Sequence, residues 1–227
     1  MREIVFDTET TGLDPLQGHR VVEIGCVELM NLVATGRTWH SYLNPERDMP
    51  VEASIVHGLK DEFLVNQPLF ASIADGFLEF IGDSPIIAHN ASFDMGFINA
   101  ELTRHGYKAL AKDRAIDTVA MARRRFPGAP ASLDALCKRF GVDLSGRKVH
   151  GALLDAQLLA EVYLELRGGR QPGLQMEAET APVAENVVVE ERVREYMTPR
   201  AHAPSDEELL AHEAFLAQIK DPIWKRT

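Results

Sequence analysis

Apolar residues alternate with polar ones in three stretches at the start of the chain: REIVF from Arg2, RVVEIGCVELMN from Arg20 and ATGRTWHSYLNP from Ala34. Asn31 and the pair Asn44-Pro45 punctuate them, so the pattern predicts three successive strands. Links this short join antiparallel neighbours. From NPERDMP onward the period changes. VEASIVHG predicts a short helix, FASIADGFLEFIG a longer one, and the brief apolar run in SPIIAHN a buried strand. Ser92 is placed to cap a helix over FDMGFINAELTRHG, which Gly106 would close. AIDTVAMARRRF leads from a short strand or turn into a helix. ASLDALCKRFG is a second helix, capped by Ser132 and ended by Gly141, and GALLDAQLLAEVYLELRGG is a long one stopped by Gly168 and Gly169. Strands first, then helices interleaved with strands, indicate an α/β layered domain with a mixed sheet.

The pattern breaks at Gly168. GGRQPGLQMEAETAPVAENVVVEE is rich in Gly, Pro and Glu without sustained helical period, which predicts a flexible linker over 168–204. The closing stretch, SDEELLAHEAFLAQIKDPIWKRT, reads differently. Ser205 can cap it, acidic residues fill its first turn, and Leu209, Leu210, Phe215, Leu216 and Ile219 make an apolar side, so an amphipathic helix is expected near 205–220. Such a terminal helix docks either on its own domain or on a partner protein. The expected organisation is a core domain over 1–167, a linker over 168–204 and a docking segment over 205–227.

Composition narrows the class. With 227 residues, 45% hydrophobic and 26% charged, the chain is long enough for one full-sized core. MREIVF runs straight into a strand, with neither a signal peptide nor a membrane span, so a soluble cytoplasmic protein is expected. Cys26 and Cys137 lie far apart in apolar company and read as two buried thiols. The net charge of −10 argues against a protein that grips nucleic acid through a broad basic surface. It leaves open an enzyme that admits one strand end into a local site. The first 167 residues hold 17 Lys+Arg against 23 Asp+Glu, so the acidity is not confined to the tail.

Three polar interruptions of apolar context carry the chemistry. Asp7 and Glu9 in FDTETTGLDP lie one residue apart at a strand end, where positions i and i+2 share a face and like charges crowd. Asp94 follows IIAHNASF near a helix start. Asp155 interrupts the apolar face of the last core helix, five residues after His150, which must then sit on the approach loop. A buried carboxylate in such company needs a positive partner or a proton. One explanation covers all of them: Asp7, Glu9, Asp94 and Asp155 converge on hard divalent cations, Mg²⁺ or Mn²⁺, since no spacing suggests zinc. Two such ions suit phosphodiester hydrolysis, and His150, titrating near neutrality, suits the general base. Arg147 and Lys148, beside His150, are placed to steer a strand, ahead of the run Arg123-Arg124-Arg125. Asp134 reads as a first-turn helix residue, and Asp117 as either an orienting or a structural group.

FDTETTG, HNASFDMGF and HGALLDA resemble the three motifs of the DnaQ-like DEDDh 3′–5′ exonucleases, over about residues 2–167. The resemblance implies a ribonuclease H-like fold with a mixed five-stranded sheet flanked by helices, a two-metal site, and removal of nucleoside 5′-monophosphates from a DNA 3′ end. It also implies that Asp7, Glu9 and Asp155 hold the first metal, that Asp7 bridges to a second held by Asp94, and that His150 is the base. Thr8, Thr10, His57 and Asn90 would lie near the terminal nucleotide, which the carboxylates of Asp7, Glu9 and Asp155 also face. Within the family, IVHGL, SLDALCKRFGVD and HGALLDAQLLAEVYLEL are most similar to the proofreading epsilon subunits of bacterial DNA polymerase III. That similarity implies docking of the polymerase alpha subunit by the C-terminal segment. QPGLQM, Gln171 to Met176, resembles a sliding-clamp-binding hexapeptide. The alternatives are a free-standing exonuclease acting on RNA or short DNA, and a chain that chiefly joins polymerase to clamp.

Overall fold

The computed structural model describes residues 1–147, 149–169 and 203–220. The chain divides into two units, Met1–Met176 and Glu177–Thr227. In the first, β1 (Arg2–Thr10), β2 (Val21–Met30) and β3 (Val33–Tyr42) are followed by α1 (Val51–His57), α2 (Asp61–Leu64) and α3 (Phe70–Ile81). Then come β4 (Ile86–Ala88), α4 (Ala91–Arg104), β5 (Ala115–Asp117), α5 (Thr118–Arg125), α6 (Leu133–Phe140) and α7 (Ala152–Leu166). The second unit contributes α8 (Asp206–Ala217).

The five strands form one mixed sheet in the order β3-β2-β1-β4-β5. The short links make β1–β2 and β2–β3 antiparallel, while β1–β4 and β4–β5, connected through helices, are parallel. Asn31 and Leu32 turn the β2–β3 hairpin, both at positive φ, as a two-residue turn between twisted strands requires. β1, fully flanked, alternates its side chains between two buried layers. Ile4 and Phe6 pack with Ile24, Cys26, Phe77 and Phe97 on the α3 and α4 side. Val5 joins Val27, Leu29, Leu159 and Tyr163 on the α6 and α7 side. Both cysteines are free and buried, as their apolar contexts predict.

Two local expectations need correction. Ser92 does not cap α4: the helix starts at Ala91 behind Asn90, which takes the left-handed conformation at φ 70°. Ser92 instead donates to Asn90 Oδ1 across 3.3 Å. Ser205 does cap α8, in a reciprocal capping box with Glu208. The apolar residues do not share one side, however: at about 100° per residue Leu210 lies about 140° around the axis from Phe215, and Leu209, Leu210 and Phe215 are all exposed.

Because β1, β4 and β5 run parallel, their carboxyl ends share one edge of the sheet. Open α/β sheets bind ligands at that edge, and it gathers Thr8 to Thr10, His89-Asn90 and Asp117.

Candidate active site

Alternation along β1 places Asp7 and Glu9 on the α7 side with Val5, and Thr8 on the opposite side, toward α4. The chain closes around them by two devices. On one side, the Thr8 backbone N–H and hydroxyl both donate to Asp94 Oδ1, at 3.1 and 2.8 Å, fixing that carboxylate against the strand. On the other, Gly25 sits opposite Asp7 in the β1–β2 register. A Cβ at Gly25 would stand 2.3 Å from the Leu153 nitrogen and 2.4 Å from the Ala152 carbonyl carbon. The bare glycine therefore lets the first turn of α7 lie directly on the sheet, and Asp155 in that turn is carried in beside Asp7 and Glu9. His150 stands just ahead of α7, as an approach-loop residue should. Its backbone N–H donates to Val56 O in α1, and its half-exposed ring brings Nδ1 to 3.2 Å from Asp155 Oδ2.

Charge in this cluster is poorly accommodated by the protein alone. Burial, then the neighbouring Asp94, Glu9 and Asp155, hold the Asp7 carboxyl well above its ordinary range. Burial, with Asp155, Glu23 and Asp94 behind it, pushes Glu9 up to about 8. Burial raises Asp94 too, against the opposing hydrogen bonds from Thr8. Glu23 is buried on β2, paired with His40 Nε2 at 2.7 Å, and adds its negative potential to Glu9.

The positive partner that Asp155 requires is Arg147. Its Nε lies 2.6 Å from Asp155 Oδ1 and its Nη2 2.6 Å from Oδ2, a two-point fork; Nη2 also stands 2.7 Å from His150 Nδ1, and Nη1 donates to Asp134. Burial works against the guanidinium charge, but the bond and charge of Asp155 outweigh it and hold the pKa above its ordinary value. Arg147 was expected to steer a strand, and its contact with Asp155 is not visible in the spacing. Asp134 takes its expected place in the first turn of α6. Asp117 caps α5 through Val119 N and also accepts from Asn90 N, so it braces the turn that leads into α4. Lys148 lies outside the described residues, as do Gln171–Met176, Trp224 and most of the linker.

Two cavities meet the cluster. One of about 890 Å³ is lined by Asp7, Asn90, Arg123, Pro130, His150 and Asp155. The other, about 570 Å³, is lined by Thr8, Glu9, Thr10, Leu13, His57 and Phe93. Thr8, Thr10 and His57 thus share one cavity, and Asn90 lies in the other. The threonine hydroxyls are already engaged, Thr8 with Asp94 and Thr10 with Gly12 O at 2.6 Å. His57 is buried; Leu59 N–H donates to its Nδ1, which leaves the ring proton on Nε2, and burial lowers its pKa.

The donor set fits a hard divalent cation. Glu9, His150 and Asp155 each offer a ligand atom within 4.8 Å of the others. Their near neighbours Asp7 and Asp94 add oxygens and no thiolate, the donor type that Mg²⁺ and Mn²⁺ prefer. Carboxylates that burial pushes toward protonation are the groups a cation would return to their charged form.

A family model described as Exonuclease matches residues 4–163. The DNA polymerase III subunit epsilon of Rickettsia conorii is 54% identical over 222 residues, covering 96% of both chains. The protein of that name from Escherichia coli is 44% identical over 227 residues, covering 96% of this chain and 93% of its own. Among solved structures, exonuclease X in complex with 5′-overhanging duplex DNA superposes with a TM-score of 0.56 at 25% identity, covering 72% of this chain and 90% of that one.

Proposed function

This chain belongs to the exonuclease family, and within it to the DNA polymerase III epsilon subunits, and from that membership we propose that it is the proofreading 3′–5′ exonuclease of a replicative polymerase. The observation that carries the proposal is the meeting of the buried Glu9, Asp94 and Asp155 with the partly buried Asp7 at the carboxyl edge of the sheet, with His150 alongside. Divalent cations are general in this family; two ions, Mg²⁺ or Mn²⁺, are assigned here to Asp7, Glu9 and Asp155 for one and to Asp7 and Asp94 for the other. Bound there, they would polarise the scissile phosphate and offset the negative charge that develops on it.

The protein's own groups divide the remaining work. His150 lines the larger cavity; Arg147 Nη2 donates to its Nδ1 at 2.7 Å, and with that contact released and Nδ1–H turned to Asp155, Nε2 can accept a proton from the attacking water. Thr8 holds the Asp94 carboxylate against β1 through two hydrogen bonds to Oδ1. The smaller cavity, with His57, Leu13 and Phe93 on its walls, is large enough for one terminal nucleoside, and the larger one, with Asn90 and Arg123, takes the nucleotides that precede it. A frayed end enters more readily than a paired one, so selection for mismatches arises from melting without any reading of base identity. Local cations explain how a chain of net charge −10 admits a polyanion.

The C-terminal segment, 205–227, is assigned to the polymerase alpha subunit. The exposed Leu209, Leu210 and Phe215 on α8 support that reading. Gln171–Met176 is assigned to the sliding clamp on sequence alone. Among the described residues no helix is long and apolar enough to cross a membrane.

The enzymatic reading is tested with 3′-labelled DNA, paired and mispaired, beside matched RNA, in Mg²⁺ with and without EDTA. Faster release from the mispaired DNA, abolished by EDTA, is expected. Equal cleavage in EDTA sinks the metal assignment, and a preference for RNA sinks the proofreading one.

A further inference from the structure

Arg147 brings a positive charge into the carboxylate cluster on the irregular segment between α6 and α7, and it does so with little freedom. Its side chain is only 9% exposed, and its fork takes both oxygens of Asp155, which is itself 3% exposed. Those are the two atoms through which Asp155 would hold a cation. Nη2 also engages the Nδ1 edge of His150, so one guanidinium occupies the proposed ligand and the proposed base together. With one fork bond on each oxygen, a guanidinium and a divalent cation, both positive, compete for the same carboxylate.

The surroundings supply a second position for the same side chain. Nη1 already donates to Asp134, whose carboxylate is 54% exposed, in the first turn of α6. The backbone at Arg147 is held by one turn hydrogen bond to Leu144 O, in a stretch that belongs to neither neighbouring helix. Rotating the guanidinium away from Asp155 while keeping Asp134 therefore breaks three contacts, two to Asp155 and one to His150, and leaves the flanking helices in place. A side chain that served only to staple the loop to α6 would need Asp134 alone.

We propose that Arg147 is a latch on Asp155: without metal it neutralises that carboxylate and restrains His150, and metal loading transfers it to Asp134. The inference rests on the assignment of Asp155 as a metal-binding residue, and it concerns how the site is loaded. Because the cation can bind only the unlatched fraction, the latch lowers the apparent metal affinity by that fraction. It also spares the empty site from the full repulsion of its carboxylates, so the apo protein stays folded and ready.

The test is Mn²⁺ titration calorimetry on the full chain, comparing wild type with Arg147→Gln and Asp155→Asn. Arg147→Gln should bind Mn²⁺ about tenfold more tightly or better, since it removes both the competitor and a like charge. Its metal-free unfolding midpoint should fall, and its midpoint in saturating Mn²⁺ should rise toward wild type. Asp155→Asn should bind more weakly than wild type. Equal or weaker binding by a folded Arg147→Gln protein overturns the latch while leaving the metal assignment standing. Absence of Mn²⁺ binding by wild type, or undiminished binding by Asp155→Asn, overturns the assignment of Asp155 and the latch with it. Should Arg147→Gln fail to fold, the Arg147 Nε–H resonance of the wild-type protein decides. Loss of its exchange protection on adding Mg²⁺ supports the latch, and unchanged protection refutes it.

Discussion

Replacing Gly25 with alanine perturbs the site from behind, without touching a proposed ligand. The added methyl would lie 2.3 Å from Leu153 N and 2.4 Å from Ala152 C, both backbone atoms of the first turn of α7. Ordinary contact begins at 3.4 Å, so strand and helix must part locally by about 1 Å, or the backbone must bend by a comparable amount. Neither neighbour can give by rotating a side chain. Overpacking of this kind costs about 1–3 kcal/mol, which denaturant unfolding at fixed pH would register as a lower midpoint with an unchanged slope. The larger effect falls on turnover. Asp155 is carried by the displaced turn, and a misplacement of about 1 Å at reacting groups costs roughly a hundredfold in rate. Single-turnover cleavage of a mispaired 3′ end, in saturating Mn²⁺ and below the unfolding midpoint, separates this loss from simple unfolding. Wild-type rate in a folded Gly25→Ala protein would refute the claim that close approach of α7 to β2 positions Asp155.

Three further outcomes follow from the same geometry. Asp155→Ala should nearly abolish both Mn²⁺ binding and cleavage, whereas His150→Ala should lower the cleavage rate by about 10²–10⁴-fold with most metal binding retained; equal metal loss in the two would remove His150 from the base role. In metal-free buffer, Glu9 keeps its proton in the folded state up to about 8, against 4.5 for an ordinary glutamate, and Asp7 and Asp94 are raised too. The folded state then binds more protons than the unfolded one across that window, so stability should fall by on the order of several kcal/mol as pH rises from about 4.5 to 8, and Mg²⁺ should flatten the decline; a metal-free midpoint that rises with pH would contradict the reading. Deleting 205–227 should leave cleavage intact and abolish co-purification with the polymerase alpha subunit, so undiminished co-purification would remove the docking role.

Much of the architecture is legible because its signals are local. Period-two alternation marks β1 and β2, short links force their antiparallel pairing, and Ser132, Gly141 and Gly168 punctuate helices as their backbone chemistry requires. The cluster Asp7, Glu9, Asp94 and Asp155 is legible for a different reason: each carboxylate interrupts apolar context, and the motifs they form are specific. The closing of the site is not local and stays hidden. Gly25 announces only that some backbone approaches a strand, and that the visitor is α7, 127 residues later, depends on the register between β1 and β2. Arg147 resembles any solvated basic residue until Asp155 and Asp134 are seen on either side of it. Ser92 misleads because Asn90, able to adopt the left-handed conformation, turns the chain into α4 two residues earlier.

The central claim is that this chain hydrolyses the terminal phosphodiester of a DNA 3′ end through a divalent-cation site built by four carboxylates. The most direct measurement incubates mispaired, 3′-labelled duplex DNA with the purified chain in ¹⁸O-water and Mg²⁺, and identifies the released nucleotide by mass spectrometry. Nucleoside 5′-monophosphate carrying one ¹⁸O in its phosphate, with none formed in EDTA or by Asp7→Ala, is the expected result. Release of a nucleoside, release of a 3′-phosphate product, or full activity in Asp7→Ala would contradict it.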